Sequence, residues 1–319
     1  MGQKVIGIDL GGTTVKMAIV SLEGEILQQW SIATDISEEG SRILPEIISS
    51  IKHRLELYGL TTEDFVGIGM GTPGTVDRKN GTVIGAYNLN WKKQQPVRDQ
   101  INKAFGLEVY LDNDANVAAL GEQWRGAGNN EPDVVFITLG TGVGGGIVAN
   151  GQLLHGLVGS AGEIGHIGVD KEGVTCTCGN KGCLETVASA TGIVKLARQM
   201  SESFAGNSQL KRDIDEGLAV TSKDIFQAAE AGDPFGKRVV NQVCDYLGTA
   251  AGNIANILNP SSIILGGGVS AAGEFLRSQV ETYFKVTAFP SMKETTKIKL
   301  ATLGNDAGVL GAASLVIRK

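Results

Sequence analysis

The 319-residue chain has no cluster of lysine and arginine; 28 basic residues are scattered among 34 acidic ones, for a net charge of −6. A nucleic-acid or anionic-membrane surface needs concentrated positive charge, so neither partner is expected, and an anionic ligand has to be held locally. No apolar run approaches the ~20 residues that span a bilayer. Residues 1–10 carry no charged-then-apolar leader, which predicts a cytoplasmic protein. Cysteine and histidine are scarce, with four and three copies, yet three of the cysteines fall within 176–183. Where thiols stay reduced, such a cluster favours metal or redox chemistry over a structural disulfide.

Glycine is what the chain has in excess. Its 45 copies concentrate in GIDLGGTT, GIGMGTPG, LGTGVGGG and LGGGV. Clusters of that kind mark tight turns and sites lined by backbone, where a Cβ would obstruct. Hydrophobic residues at 42% and charged residues at 19% are ordinary for a globular protein, and the length suits two domains.

Periodicity organises the chain into α/β units. VIGIDL, TVKMAIV and EILQQWSI predict three antiparallel strands, 41–59 a helix, and DFVGIGMG a parallel strand behind that crossover. LEVYLDND predicts a further strand and 115–128 a glycine-closed helix. The pattern then restarts: 133–140 and 145–154 again read as strand, glycine turn, strand, so DLGGTTVKMAIV is echoed by TLGTGVGGGIVA. Residues 233–260 predict a long helix ending at proline, followed by the strand SIILGG, a helix, the strand KIKLATLG and a last helix over 305–319.

Any one of these glycine turns is a plain hairpin or a phosphate cradle made of inward-pointing backbone N–H groups. Gly140, Gly142 and Gly145 match G-x-G-x-x-G, but IVANG follows as a strand where a dinucleotide fold needs a helix. The first turn says more, because Asp9 precedes it and Lys16 follows. A carboxylate at a strand end beside a phosphate cradle suits Mg²⁺, or simply caps the turn.

DLGGTTVK, LGTGVGGG and LGGGV together resemble the two phosphate elements and the adenosine element of the actin, hexokinase and heat-shock chaperone superfamily. From Glu163 to Glu185 the chain follows E-x-G-H and then C-x-C-G-x-x-G-C-x-E, which resembles the ROK family of repressors, open reading frames and sugar kinases. The resemblance runs the length of the chain in order. It implies two actin-like (ribonuclease H-like) domains with a cleft between them: 1–120 with the C-terminal helix 305–319, and a larger 121–304 carrying the cysteine loop.

It also implies roles for residues. The first phosphate element comprises Asp9, Gly11, Gly12, Thr13, Thr14 and Lys16; the second Thr138, Gly140, Thr141, Gly142 and Gly144; the adenosine element Gly266, Gly267 and Gly268. Asp114, second acid of 112-DNDA-115, is implied as the base that takes a proton from the sugar hydroxyl, with Asn113 bonding the sugar. Taken alone, Asp114 reads more readily as a helix cap, and the surrounding constellation reverses that. Glu163, His166 and Glu185 offer the carboxylates and imidazole that sugar hydroxyls ask for, and Gly74 and Asn88 are further candidates.

Cys176, Cys178 and Cys183 with His166 make a Cys₃His set suited to a closed, structural zinc site. A redox pair is the rival reading, and His155 competes with His166 for the fourth position. Cys244, inside the long helix, reads as an apolar core residue. The resemblance implies an ATP- and Mg²⁺-dependent hexose kinase, closest to glucokinases, acting on glucose as a homodimer or larger assembly. Fructose, mannose and N-acetylmannosamine remain alternative acceptors. A sugar-responsive regulator is a further alternative, with DNA binding disfavoured because no basic helix occurs.

Overall fold

Unbroken buried runs, Val5–Ile8 and Met17–Val20, build the first strands of a meander, and the computed structural model, which describes residues 3–318, places it at the heart of one half of the chain. β1 (Lys4–Leu10) and β2 (Thr14–Ser21) pair antiparallel with Asp9 opposite Lys16, and β3 (Ile26–Ala33) extends the meander. The helix Ile43–Leu57 buries Ile43, Leu44, Ile47, Ile51 and Leu55, a three-and-four spacing that turns one stripe to the sheet. It returns the chain to β4 (Phe65–Thr72), parallel to β1. A small hairpin, β5 (Thr75–Asp77) and β6 (Thr82–Ile84), precedes β7 (Val109–Asn113), which closes the order β3-β2-β1-β4-β7.

The second sheet repeats that plan. β8 (Val134–Leu139) and β9 (Val143–Ala149) form an antiparallel hairpin with β10 (Gln152–Leu153) outside it. β11 (Ser262–Gly266) and β12 (Lys297–Leu300) add in parallel, giving β10-β9-β8-β11-β12. The echo seen in the sequence is therefore a duplicated topology. Asp233 caps the long helix Pro234–Leu258 through the Phe235 and Gly236 amides at 2.9 Å, and left-handed Asn259 ends it before Pro260.

The chain divides into two compact units: 1–130 with 153–161 and 303–319, and 131–152 with 162–302. The division falls later than position 120 because the helix Asp114–Arg125 packs whole against the C-terminal helix Ala307–Ile317 in unit 1. Nine residues beyond the first crossing, 153–161, also belong to unit 1.

Glycine permits that packing. A Cβ on Gly311 would stand 1.6 Å from the Val117 carbonyl oxygen, and one on Gly69 1.8 Å from that of Ala312. Backbone touches backbone, so neither side can move aside. Gly311→Ala is expected to destabilise by roughly 3 kcal/mol, read as a lower urea midpoint at unchanged slope.

Candidate active site and metal centre

In unit 1 the candidate residues gather at the carboxyl ends of three neighbouring strands, where α/β sheets collect ligands. Asp9 lies near the end of β1, Gly74 follows β4, and Asn113 ends β7 with Asp114 opening the helix after it; register places Asp9 beside Gly71 and Thr72 beside Asn113. The turn after β1 closes through the Gly11 N–H donating to the Thr14 carbonyl at 3.0 Å. Thr34 braces it from β3's end, its hydroxyl donating to the Gly11 carbonyl at 2.7 Å and its N–H to the Thr13 carbonyl at 3.0 Å. Asn88 lies over the turn, 3.3 Å from where a Gly12 Cβ would stand. Gly74 holds a left-handed φ of 90°, with the Ala86 backbone pressed against it.

The Lys16 ammonium reaches the Asn305 carbonyl at 3.5 Å, at the approach to the C-terminal helix. Gly308 in that helix leaves room for Asp9: a Cβ there would be 2.5 Å from its carboxyl group. Burial pushes the Asp9 carboxyl up to about 6, Lys16 opposing and Asp114 adding. Burial also raises Asp114, against the Ala115 N–H and Asn113 side chain that favour its charged form. Among the described residues no hydrogen bond reaches the half-buried Asp9 carboxylate, and a partly desolvated carboxylate without a donor is a natural cation ligand.

The raised Asp9 carboxyl makes stability depend on pH. A carboxyl raised from 3.8 to about 6 binds its proton more tightly folded than unfolded, so its stabilising effect is full below about 4 and lost as pH rises through about 6. Asp9→Asn is therefore expected to stabilise the protein at pH 8 in chelator, by up to about 3 kcal/mol, since each tenfold difference in proton affinity is worth about 1.4 kcal/mol. The gain should vanish at pH 4, as urea denaturation at the two pH values would read.

In unit 2 the turn after β8 is Gly140, Thr141 and Gly142, closed by Gly140 N–H to Gly142 carbonyl at 2.9 Å. Gly144 lies opposite Thr138 within the ladder, so it belongs to the strand and not to the turn. The chain continues from Gly145 as strand, as expected, and Gly145 serves packing: a Cβ there would meet the Gly162 carbonyl at 2.8 Å. Glu185 turns one carboxylate oxygen to this same turn, accepting the Val143 N–H at 3.0 Å. A Cβ on Gly142 would lie 2.4 Å from that oxygen.

Gly266 ends β11, and Gly267, at φ 81°, packs against the Leu139 backbone beside the second turn. Gly268 opens on a cavity of about 380 Å³ between two helices, lined by Lys223, Phe226, Gln227, Glu230 and Phe275 among others. Sequence reasoning missed those residues; Ser222–Glu230 reads only as an amphipathic helix.

The cysteine loop brings its four candidates together. Ligand atoms of His166, Cys176, Cys178 and Cys183 all lie within 4.8 Å of one another. The Cys178 and Cys183 sulfurs are 3.7 Å apart, and the Cys176 sulfur is 3.6 Å from His166 Nδ1. A tetrahedron with metal–sulfur bonds of about 2.3 Å and a metal–nitrogen bond of about 2.0 Å has edges of about 3.8 and 3.5 Å, so the set fits zinc. Burial opposes the Cys176 thiolate, but hydrogen bonds from Cys178, Cys183 and His166 bring that thiol down to about 7; burial and its neighbours push Cys183 up to about 12. His166 Nε2 faces the other way, 3.9 Å from the exposed Glu163 carboxylate.

Left-handed Gly179 and Gly182 let the loop bend, and Gly182 lies so close to Asp170 that a Cβ would stand 1.5 Å from its carbonyl oxygen. Tyr246 of the long helix anchors the loop, donating its hydroxyl to Asp170 at 3.0 Å. His155 takes no part: it bonds Asp112 at 2.7 Å in unit 1. Cys244 is buried, and burial raises its thiol to about 12. None of the helices is long and apolar enough to cross a membrane, among the described residues.

A family model described as ROK family matches residues 5–319. A glucokinase of Halalkalibacterium halodurans is 46% identical over 312 residues, 98% of this chain and 94% of that protein. The crystal structure of a ROK family glucokinase from Streptomyces griseus in complex with glucose and AMPPNP is 34% identical, with a TM-score of 0.76 over 99% of this chain and 100% of that one. A xylose repressor of Caldicellulosiruptor bescii is 31% identical over 98% of this chain and 78% of that protein.

Proposed function

The chain belongs to the ROK family, and from that premise we propose that it is an ATP-dependent glucokinase, transferring the γ-phosphoryl group of ATP to the 6-hydroxyl of glucose. The observation that carries the proposal is the placing of Asp114 at the carboxyl end of β7, close enough to Asp9 and the first glycine turn for its charge to raise the Asp9 carboxyl, with its own carboxyl raised by desolvation. As the sugar 6-oxygen attacks the γ-phosphorus, Asp114 takes its proton, the bond to the bridging oxygen breaks, and ADP leaves with that electron pair.

Backbone amides of Gly12 and Thr13, and of Thr141 and Gly142, steady the phosphates, while the Gly11 and Gly140 amides close the two turns and Thr14, Thr138 and Lys16 lie nearby. Gly266, Gly267 and Gly268 and the cavity behind them receive the adenosine, whose flat base suits Phe226 and Phe275. Asn113, Glu163 and His166 bond the sugar, assisted by Asn88 and Gly74. Glu185 offers it one oxygen, the other being held by Val143. Asp9 would hold Mg²⁺, which when bound offsets phosphate charge. His166, Cys176, Cys178 and Cys183 would hold a structural Zn²⁺, which when bound fixes the loop between Glu163 and Glu185. The functional unit is a homodimer or larger assembly in the cytoplasm.

The test is ATP consumption against glucose, fructose, mannose and N-acetylmannosamine. Glucose is expected to give the highest kcat/KM. Sugar binding without ATP consumption would favour the regulator reading, which the repressor relatives keep in view. Asp9→Asn is expected to lose turnover by about 10²-fold while gaining the stability described above, since it removes the metal's carboxylate. The acid limb of the activity profile should move to lower pH as Mg²⁺ is raised, because the metal competes with the proton that the raised Asp9 carboxyl binds without it.

A further inference from the structure

We propose that His155, with Arg78, is a positioning residue for Asp114, acting through Asp112; the proposal rests on the kinase reading above. Asp112 is the last residue but one of β7, with its side chain only 2% exposed. Its Oδ1 accepts the Asn113 N–H at 2.9 Å and the Asn116 amide at 2.8 Å, and its Oδ2 bonds His155 Nε2 at 2.7 Å. Those bonds set the peptide that leads into the helix and its first turn. Asn113 then caps that helix through the Ala115 N–H at 2.9 Å, and Asp114 is its first residue. The direction of the base is thus set by how the Asp112 carboxylate is held.

His155 holds it in one tautomer. Arg78 Nη1 lies 2.9 Å from His155 Nδ1, and a guanidinium only donates, so Nδ1 accepts and the ring proton sits on Nε2, donating to Asp112. Arg78 Nε is 3.5 Å from the same carboxylate oxygen, too far to replace the histidine. The Arg78 carbonyl in turn accepts Arg98 Nη2 at 2.6 Å, which ties the stretch between β5 and β6 to the helix Val97–Phe105. His155 reaches Asp112 from the 153–161 segment, whose own turn is closed by the Ala161 N–H donating to the His155 carbonyl at 3.1 Å. Without the imidazole, Oδ2 loses its short bond in a buried position. The carboxylate is then free to rotate off the Asn113 N–H and the Asn116 amide.

The full-length protein tests this with His155→Ala and His155→Gln, the glutamine placing an N–H donor near the position of Nε2. His155→Ala is expected to lower kcat on the order of 10²-fold at saturating glucose, the scale of a misplaced catalytic group, with the KM for ATP within about twofold. His155→Gln should recover most of the loss. Long-range nitrogen–proton spectra of the parent should show the His155 proton on Nε2. Alanine turnover within about twofold of the parent, a glutamine variant no better than alanine, or a proton on Nδ1 overturns the proposal. If the parent phosphorylates no hexose, the kinase reading falls and this proposal with it. An inert His155→Ala change in an active parent sinks this proposal alone.

Discussion

Asp114→Asn is expected to lose about 10³-fold in kcat on glucose, within the range that general-base catalysis contributes. The KM for ATP should stay within about twofold, because the proposed site gives the phosphates to the glycine turns and not to this carboxylate. The variant should also be no less stable than the parent at neutral pH. Burial raises the Asp114 carboxyl, so its charged form is a cost to the folded state that the neutral amide removes. Lost turnover with kept or increased stability separates a catalytic role from a structural one. If Asp114 served only the first turn of the helix that Asn113 caps, the variant would keep its turnover, since asparagine fits that turn as well.

The second large effect concerns the cysteine loop. Purified protein is expected to carry one zinc per chain by elemental analysis, and Cys178→Ser or exhaustive chelation should remove it. Glucose affinity, read by calorimetry, should then weaken on the order of 10–100-fold, the usual cost of disturbing the groups around a metal ligand. Nδ1 of His166 faces the cysteines and Nε2 faces Glu163, so the ring loses its orientation once the cluster opens. Binding of an ATP analogue should weaken less than glucose binding, because only the second glycine turn is tied to the loop, through Glu185 on the Val143 amide. A Cys178→Ser protein that binds glucose as tightly as the parent would limit the cluster to folding.

Much of this site is legible in the sequence because its signals are local. A turn that admits a phosphate needs consecutive glycines, and a compact metal loop needs its thiols within a few residues, so both stand out. Asp114 is legible only in company, since the same residue alone reads as a cap. What cannot be read depends on chain segments meeting from far apart. The Glu185 carboxylate on the Val143 amide spans 42 positions, and His155 on Asp112 spans 43. Gly308, which admits Asp9 against the C-terminal helix, carries no local mark of that task. The cavity beyond Gly268 joins two helices whose separate patterns are ordinary. A boundary at position 120 divides a helix that the packing against Ala307–Ile317 keeps whole, because the partner lies at the other end of the chain. Gly144 shares a glycine run with the second turn, but pairing across the hairpin makes it a strand residue.

The most direct test is to incubate the protein with glucose, ATP and Mg²⁺ and identify the product by phosphorus–proton correlation. The account predicts glucose 6-phosphate, its phosphorus coupled to the two protons on C6, formed one for one with ADP and nearly absent with Asp114→Asn. Glucose that binds but stays unphosphorylated, phosphate on another carbon, or full product formation by Asp114→Asn would contradict it.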